Sequence, residues 1–266
     1  MRRIISRVAV LAAALLVTAA GVGLYLNERG TRESAYVTGA DREPDRVDLD
    51  ATIKKVNADS RELILHVVAE AKGALADREI AVDTSSFVHG TMRIPAGDRV
   101  AAADLLVDLE GMVTDYPFDR YTTRIGFAAD VPLSLTLWDG DAFFHATMAR
   151  ADNRYGTTAA ELDLARSRGT RLFAWLMMVV MWALALGVIG ASFVIVRQSR
   201  GLVWPAMGWM AASLFALAGF RSAAPGAPPI GSILDYAAFF WVELIIAGCL
   251  AAVVVYGVWV EHPPEE

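Results

Sequence analysis

Three of the four histidines, His66, His89 and His145, are the first candidates for chemistry, and they stand far apart with no HxH or HExxH pattern among them. No metal ligand set follows from that spacing. Asp83, Ser85 and Ser86 ahead of His89 supply the residue types of a hydrolytic triad, yet no G-x-S-x-G elbow presents either serine. Serine beside aspartate is ordinary turn chemistry. Asp139 and Asp141 next to Trp138 have the makings of a sugar subsite, but both flank Gly140 and are better explained as residues of a hairpin turn. Cys249, the only cysteine, lies inside an apolar run, so one chain can build neither a disulfide nor a thiolate metal site. No catalytic residue, cofactor or metal site is assigned.

The acid that demands an explanation is Glu243. It stands eight residues after Asp235 in an apolar run, about 12 Å along a helix, and a carboxylate in hydrocarbon costs about 2 to 3 kcal/mol or more unless paired, hydrogen-bonded or facing a wet cavity. Three roles stay open for it: a hydrogen bond to a neighbouring helix, a partner or lipid-headgroup contact, and a relay, which would need further acids at that depth. Phe239 and Phe240 precede it by one turn and Tyr236 by two. Upstream, Arg221 and Asp235 bracket a tip rich in proline and glycine, with Pro225, Gly226, Pro228, Pro229 and Gly231. A salt bridge or shared water across that mouth is expected. Arg221, Asp235, Tyr236, Phe239, Phe240 and Glu243 are therefore the candidate partner or lipid contacts.

The elements that must position them are apolar. The chain has 266 residues, 55% of them hydrophobic, and a mean hydropathy of +0.41, too apolar for an ordinary soluble protein. Four apolar runs approach the roughly 20 residues of a transmembrane helix. The expected layout is a cytoplasmic N-terminus (1–7), a first span (8–26), an exported domain (27–170), a second span (171–197), a cytoplasmic turn (198–201), a third span (202–220), an outer tip (221–235), a fourth span (236–260) and a cytoplasmic tail (261–266). Arg2, Arg3 and Arg7 before the first run suit an anchor or a signal peptide; the run's length and lack of a polar mature start favour the anchor. Arg197 and Arg200 place their short turn in the cytoplasm. The expected location is the plasma (inner) membrane, multi-pass. In the second run Ala183, Gly187 and Ala191, and in the third Gly208 and Ala212, are small residues four apart, expected to seat neighbouring helices.

The exported segment reads as β. Val47, Leu49, Ala51 and Ile53 alternate with polar residues, and further strands are expected near 62–68, 79–82, 91–94, 103–110, 120–127, 133–138 and 142–148, the last two joined by a hairpin at Asp139–Gly140. An antiparallel β-sandwich accounts for the pattern. Its sharpest motif is Tyr116, Pro117, Phe118, Asp119, Arg120 and Tyr121, read as a structural corner in which Tyr116, Phe118 and Tyr121 plug the core. The net charge of -6 and only three lysines, Lys54, Lys55 and Lys72, none in a long basic run, argue mildly against a phosphate-binding surface, and no nucleic-acid partner is expected.

With YPFDRY at 116–121 inside a β domain and PGAPPIGSILDYAAFFWVE at 225–243 between apolar runs, the chain resembles the domain of unknown function 4436 family of bacterial membrane proteins, from about Asp48 to Trp259. The resemblance carries no catalytic residues. The fold expectation is four transmembrane helices, one N-terminal and three C-terminal, with an extracytoplasmic antiparallel β-sandwich inserted between the first and second. The functional expectation is a non-enzymatic accessory or scaffolding subunit of a cell-envelope complex, with membrane lipids and a membrane protein as partners and lipid transport as one candidate setting. The alternatives are an envelope sensor or lipid- or glycan-binding protein, and last a membrane enzyme.

Overall fold

A computed structural model describes residues 15–16, 18–30, 35–97 and 100–261. The chain divides into two compact units, one of 1–111 and 120–169, the other of 112–119 and 170–266.

In the first unit, helix α1 (18–30) precedes eleven strands: β1 (Tyr36–Gly39), β2 (Val47–Asn57), β3 (Glu62–Ala71), β4 (Ile80–Thr84), β5 (Thr91–Ile94), β6 (Val100–Asp108), β7 (Glu110–Gly111), β8 (Arg120–Ala128), β9 (Leu133–Asp139), β10 (Phe144–Arg154) and β11 (Thr157–Arg166). They form two sheets, one in the order β1-β9-β2-β3-β6, the other β10-β11-β8-β4-β5 with β7 paired to β8. The period-two pattern works as alternation requires: Val47, Leu49, Ala51 and Ile53 of β2 and Leu63, Leu65 and Val67 of β3 are fully buried. Each of these valine, leucine and isoleucine side chains contributes about 1.5 to 3 kcal/mol relative to exposure.

Two expectations about the strands are corrected. The sheets are not purely antiparallel, because β9 runs parallel to β2. Asp139–Gly140 does not close a hairpin either, since β9 and β10 belong to different sheets. It is a crossing. Gly140 donates its N–H to Ile53 O at 3.1 Å, and a Cβ there would lie 2.6 Å from that same carbonyl oxygen. Glycine is needed for close backbone approach rather than for turn dihedrals.

The second unit holds α2 (Arg168–Arg197, entered through its first two residues from the other unit), α3 (Trp204–Ser222) and α4 (Phe240–Glu261), the last preceded by a π-helical turn, Asp235–Phe239. On α2 the buried positions Thr170, Ala174, Met177, Met181, Ala185, Val188, Ser192 and Ile195 recur every three or four residues. Met207, Met210, Ser213 and Leu217 of α3 and Val242, Ile246, Val253 and Gly257 of α4 complete the core. Packing is thus built on methionines and branched aliphatics, not on the small-residue faces expected from sequence: Ala183, Gly187, Gly208 and Ala212 are exposed and Ala191 half-buried. Methionine fills irregular gaps between helices that small residues would leave open.

The four-span layout with a sandwich between the first two spans is overturned. Among the described residues two helices are long and apolar enough to cross a membrane, Arg168–Arg197 and Asp235–Glu261. The 19-residue α3 carries Trp204, Pro205, Gly208, Trp209, Ser213, Gly219 and Arg221, which dilute its apolar character. Of the expected first span, 8–14 and 17 lie outside the described residues, as do the expected N-terminal segment 1–7 and most of the tail, 262–266. The part of α1 that is described sends the Glu28 carboxylate to the Gly169 N–H at 3.1 Å, satisfying one of the free donors that open α2.

Candidate functional site

The hairpin mouth between α3 and α4 is held by one ion pair. Arg221 closes α3 as its last basic residue; its Nε donates to Asp235 Oδ1 at 2.9 Å and its Nη2 to Oδ2 at 2.8 Å, the bidentate fork for which guanidinium is shaped. Asp235 is fully buried, and the arginine side chain is 12% exposed. All three guanidinium nitrogens and both carboxylate oxygens are engaged. The other arginine donors go to the carbonyls of Pro228 (3.0 Å) and Pro229 (2.9 Å), and Asp235 Oδ2 also accepts from the Gly231 N–H, the Ser232 N–H and the Ser232 hydroxyl. Proline supplies carbonyls without competing donors, and Gly231 takes a positive φ of 92° that turns its N–H inward. The Pro/Gly tip is therefore a cradle for this pair.

Directly after the pair the helix widens. In the turn Asp235–Phe239 the Phe240 N–H reaches back five residues to Asp235 O, so the carbonyl of Tyr236 loses its usual partner. Two indoles donate into the turn: Trp241 Nε1 to Tyr236 O at 2.8 Å and Trp182 Nε1 of α2 to Ala237 O at 3.1 Å. The aromatic cluster follows from this geometry. Tyr236 and Phe240 meet edge to face at 5.5 Å, and Phe239 lies 5.9 Å from Phe240. Tyr236 is 65% exposed and Trp241 53%. Glu243 is half-buried one turn further on and has no hydrogen-bond partner among the described residues.

Part of the YPFDRY motif belongs to the same unit. Residues 112–119 cluster with the helices, and Tyr116 is fully buried in the helical core with Met177, Met181 and Leu234. Phe118 stays 44% exposed and meets the Trp175 ring of α2 at 6.2 Å. The corner expected to plug one core with three aromatics is corrected here: Tyr116 enters the helical core, Tyr121 the β core, where it packs against Phe144 at 5.7 Å, and Phe118 neither. Pro117 follows a cis peptide bond. Asp119 is buried and the adjacent Arg120 exposed, as opposite-facing neighbours must be.

The residues weighed for chemistry in the β unit serve its backbone. Asp141 accepts from the N–H groups of Val56, Phe143 and Phe144. Asp139 accepts from Ala146 N–H and sits 2.9 Å from His145 Nδ1. The Ser86 hydroxyl oxygen accepts from Val88, His89 and Leu106 N–H groups, and Ser85 from Gly126. Hydroxyls and carboxylates tied down in this way finish loops. His66 at 2.6 Å, then Lys54 at 3.0 Å, hold the exposed Asp104 carboxyl below the usual carboxylate range. That lowered value contributes stability above the ordinary carboxylate pKa and loses it as pH falls through the lowered one, a small effect at an exposed site. Among the described residues no group of three or more His, Cys, Asp or Glu is placed to hold a metal ion. An open polar groove on the outer face of β8, β10 and β11 is lined by Arg124, Arg150, Asp152 and Glu161.

Sequence reasoning missed the π turn, the two indole bonds and the seat of Tyr116. A widened turn leaves no residue signature, and a tryptophan does not announce which carbonyl it will meet.

Residues 37–164, the strands, match the family model for a domain of unknown function (DUF4436), which takes in the YPFDRY motif at 116–121 but not the 225–243 stretch. The β domain of this chain belongs to the DUF4436 family. Residues 166–260, the helices, match a second domain of unknown function (DUF8686), so the two matches meet at the junction between β11 and α2. Comparison with curated proteins finds no match.

Proposed function

We propose that this DUF4436 protein is a non-enzymatic integral membrane protein, fixed in the bilayer by α2 and α4, that acts as an accessory or scaffolding subunit of a larger membrane complex. The observation that carries the reading is the outward surface of the helical unit. Only 22% of the most apolar stretch of either α2 or α4 is buried within the protein, while Leu176, Leu186, Phe193, Leu244 and Val255 are each more than half exposed. A helix apolar on its outer side as well as its inner one belongs in lipid. Aromatic residues mark both ends. Trp241 and Trp259, both exposed, are separated by about 27 Å of helix, close to the thickness of a hydrocarbon core, and tryptophan prefers the interfaces.

The scaffolding part of the reading rests on how the polar groups are used. Arg221, Asp235, Ser232 and the tip carbonyls satisfy one another, which makes the mouth rigid, and beside it stands an exposed aromatic face with Tyr236, Phe240 and Trp241. A pre-organised apolar face with a locked support suits docking rather than turnover. The charge of Arg197 and Arg200 supports a cytoplasmic turn between α2 and α3, and in this reading the strands lie on the extracytoplasmic side of a plasma membrane. Affinity purification of the tagged full-length protein from mildly solubilised membranes tests the reading. A stoichiometric membrane-protein partner is the expected result; a protein recovered alone, as a single-copy species, would contradict it.

A further inference from the structure

Resting on that docking reading, we infer that Glu243 pairs with a lysine or arginine carried by a transmembrane helix of a different membrane protein. Trp241 and Trp259 bracket a slab whose middle falls near Leu250, so Glu243 lies about 10 Å from that middle along the axis, roughly 3 Å inside the level of Trp241. That depth is inside the half-thickness of about 15 Å of the apolar slab. A carboxylate there is costly unless something compensates it.

Among the described residues the neighbouring helices do not supply the compensating group. Arg221 is committed to Asp235 and to the Pro228 and Pro229 carbonyls. Ser213 stands eight residues before Arg221 as Glu243 stands eight after Asp235, and its hydroxyl donates to Trp209 O at 2.8 Å. Glu243 is half-buried, with no hydrogen-bond partner among the described residues. The surface beside it is open. Leu244 is 64% exposed; Ala247, Gly248 and Ala251 are exposed, and a Cβ built on Gly248 would meet nothing within 4 Å. Small residues flanking a carboxyl let a second backbone come close enough for a long basic side chain to reach it.

Charge selects the occupant. A second copy of this chain packed by the same face would bring a second carboxylate to the first, a like-charge contact. A helix with a basic residue at this depth neutralises Glu243 and relieves its own burden at once.

The test uses the full-length tagged protein in native membranes, with partners identified by mass spectrometry and recovery compared among wild type, Glu243→Gln and Glu243→Asp. The expected result is a partner whose transmembrane segment contains Lys or Arg, recovered at least tenfold less with Glu243→Gln and retained with Glu243→Asp, and lost from the wild type when that basic residue is reversed to Glu. If Glu243→Gln does not accumulate, Ala247→Leu, which blocks close approach at an exposed site, replaces it and is expected to lose the partner. Retention of the partner within twofold by the variant that is read overturns the pairing but leaves the docking reading standing. A partner without an intramembrane Lys or Arg, or a second copy of this chain as the lost species, overturns the pairing as well. A wild type that recovers nothing overturns both.

Discussion

Arg221→Ala is expected to destabilise the helical unit by about 3 to 5 kcal/mol, because it strands a fully buried carboxylate. Asp235 would keep the donors of Gly231 and Ser232 but lose both guanidinium bonds, and the Pro228 and Pro229 carbonyls would lose theirs. Asp235→Ala should cost a similar amount for the reciprocal reason: it leaves a guanidinium without its counter-ion and the tip donors without an acceptor. The double variant should cost little more than either single one, since both remove the same network. Replacing a buried ion pair by apolar residues is often harmless in a two-body case; here the pair also satisfies the tip backbone, so that escape is closed. Thermal unfolding in detergent, read on the helical signal, should show the single variants lowered by at least about 10 °C. Melting unchanged from wild type would show that the pair is dispensable.

The second large effect concerns Tyr116. Tyr116→Ala is expected to cost about 3 to 5 kcal/mol, the range for emptying a buried aromatic site, and the loss should appear in the helical unit, where Tyr116 is fully buried in the core cluster that includes Met177, Met181 and Leu234. Tyr121→Ala, five residues away, should instead loosen the β unit, where its ring packs against Phe144. Phe118→Ala is the control; at 44% exposure, with an edge contact to Trp175, it should cost about 0.5 to 1.5 kcal/mol. Hydrogen exchange followed by mass spectrometry separates the three. Faster exchange in α2 and α4 for Tyr116→Ala with the strands unchanged is the predicted pattern, and protection lost mainly in β8 and β11 would contradict it.

Where a residue's role is set by its own segment, the sequence was informative. Alternation at 47–53 marked β2, and the apolar runs placed α2, α3 and α4 within a few residues of their observed bounds. The bracketing of a Pro/Gly tip by Arg221 and Asp235 predicted their pairing, because a hairpin brings its two mouths together whatever its tip does. Part of what failed depended on long-range partners, and part on local patterns too short or too diluted to read. Asp139–Gly140 has turn chemistry, but a dipeptide does not record whether the strands it joins pair with each other or cross between sheets. In β11 Leu162 and Leu164 alternate with Glu161 and Asp163, a legible pattern masked by the small residues 157–160. β1 has four residues, too few for any period. The span count failed for α3 because run length was weighed above the tryptophans, glycines and arginine that dilute it. Within the candidate site, the aromatic residues and Glu243 were visible as types, whereas their mutual geometry depends on a π turn that only the fold reveals.

The claim on which the rest depends is that α4 lies in the bilayer, and the chain carries its own probe. Cys249, the sole cysteine, sits half-buried one residue from the middle of Asp235–Glu261. In intact membranes it is predicted to remain unlabelled by a polar maleimide, from whichever side the reagent is supplied, and to react only after detergent is added. Rapid labelling of Cys249 in intact membranes would place α4 in water and contradict the account.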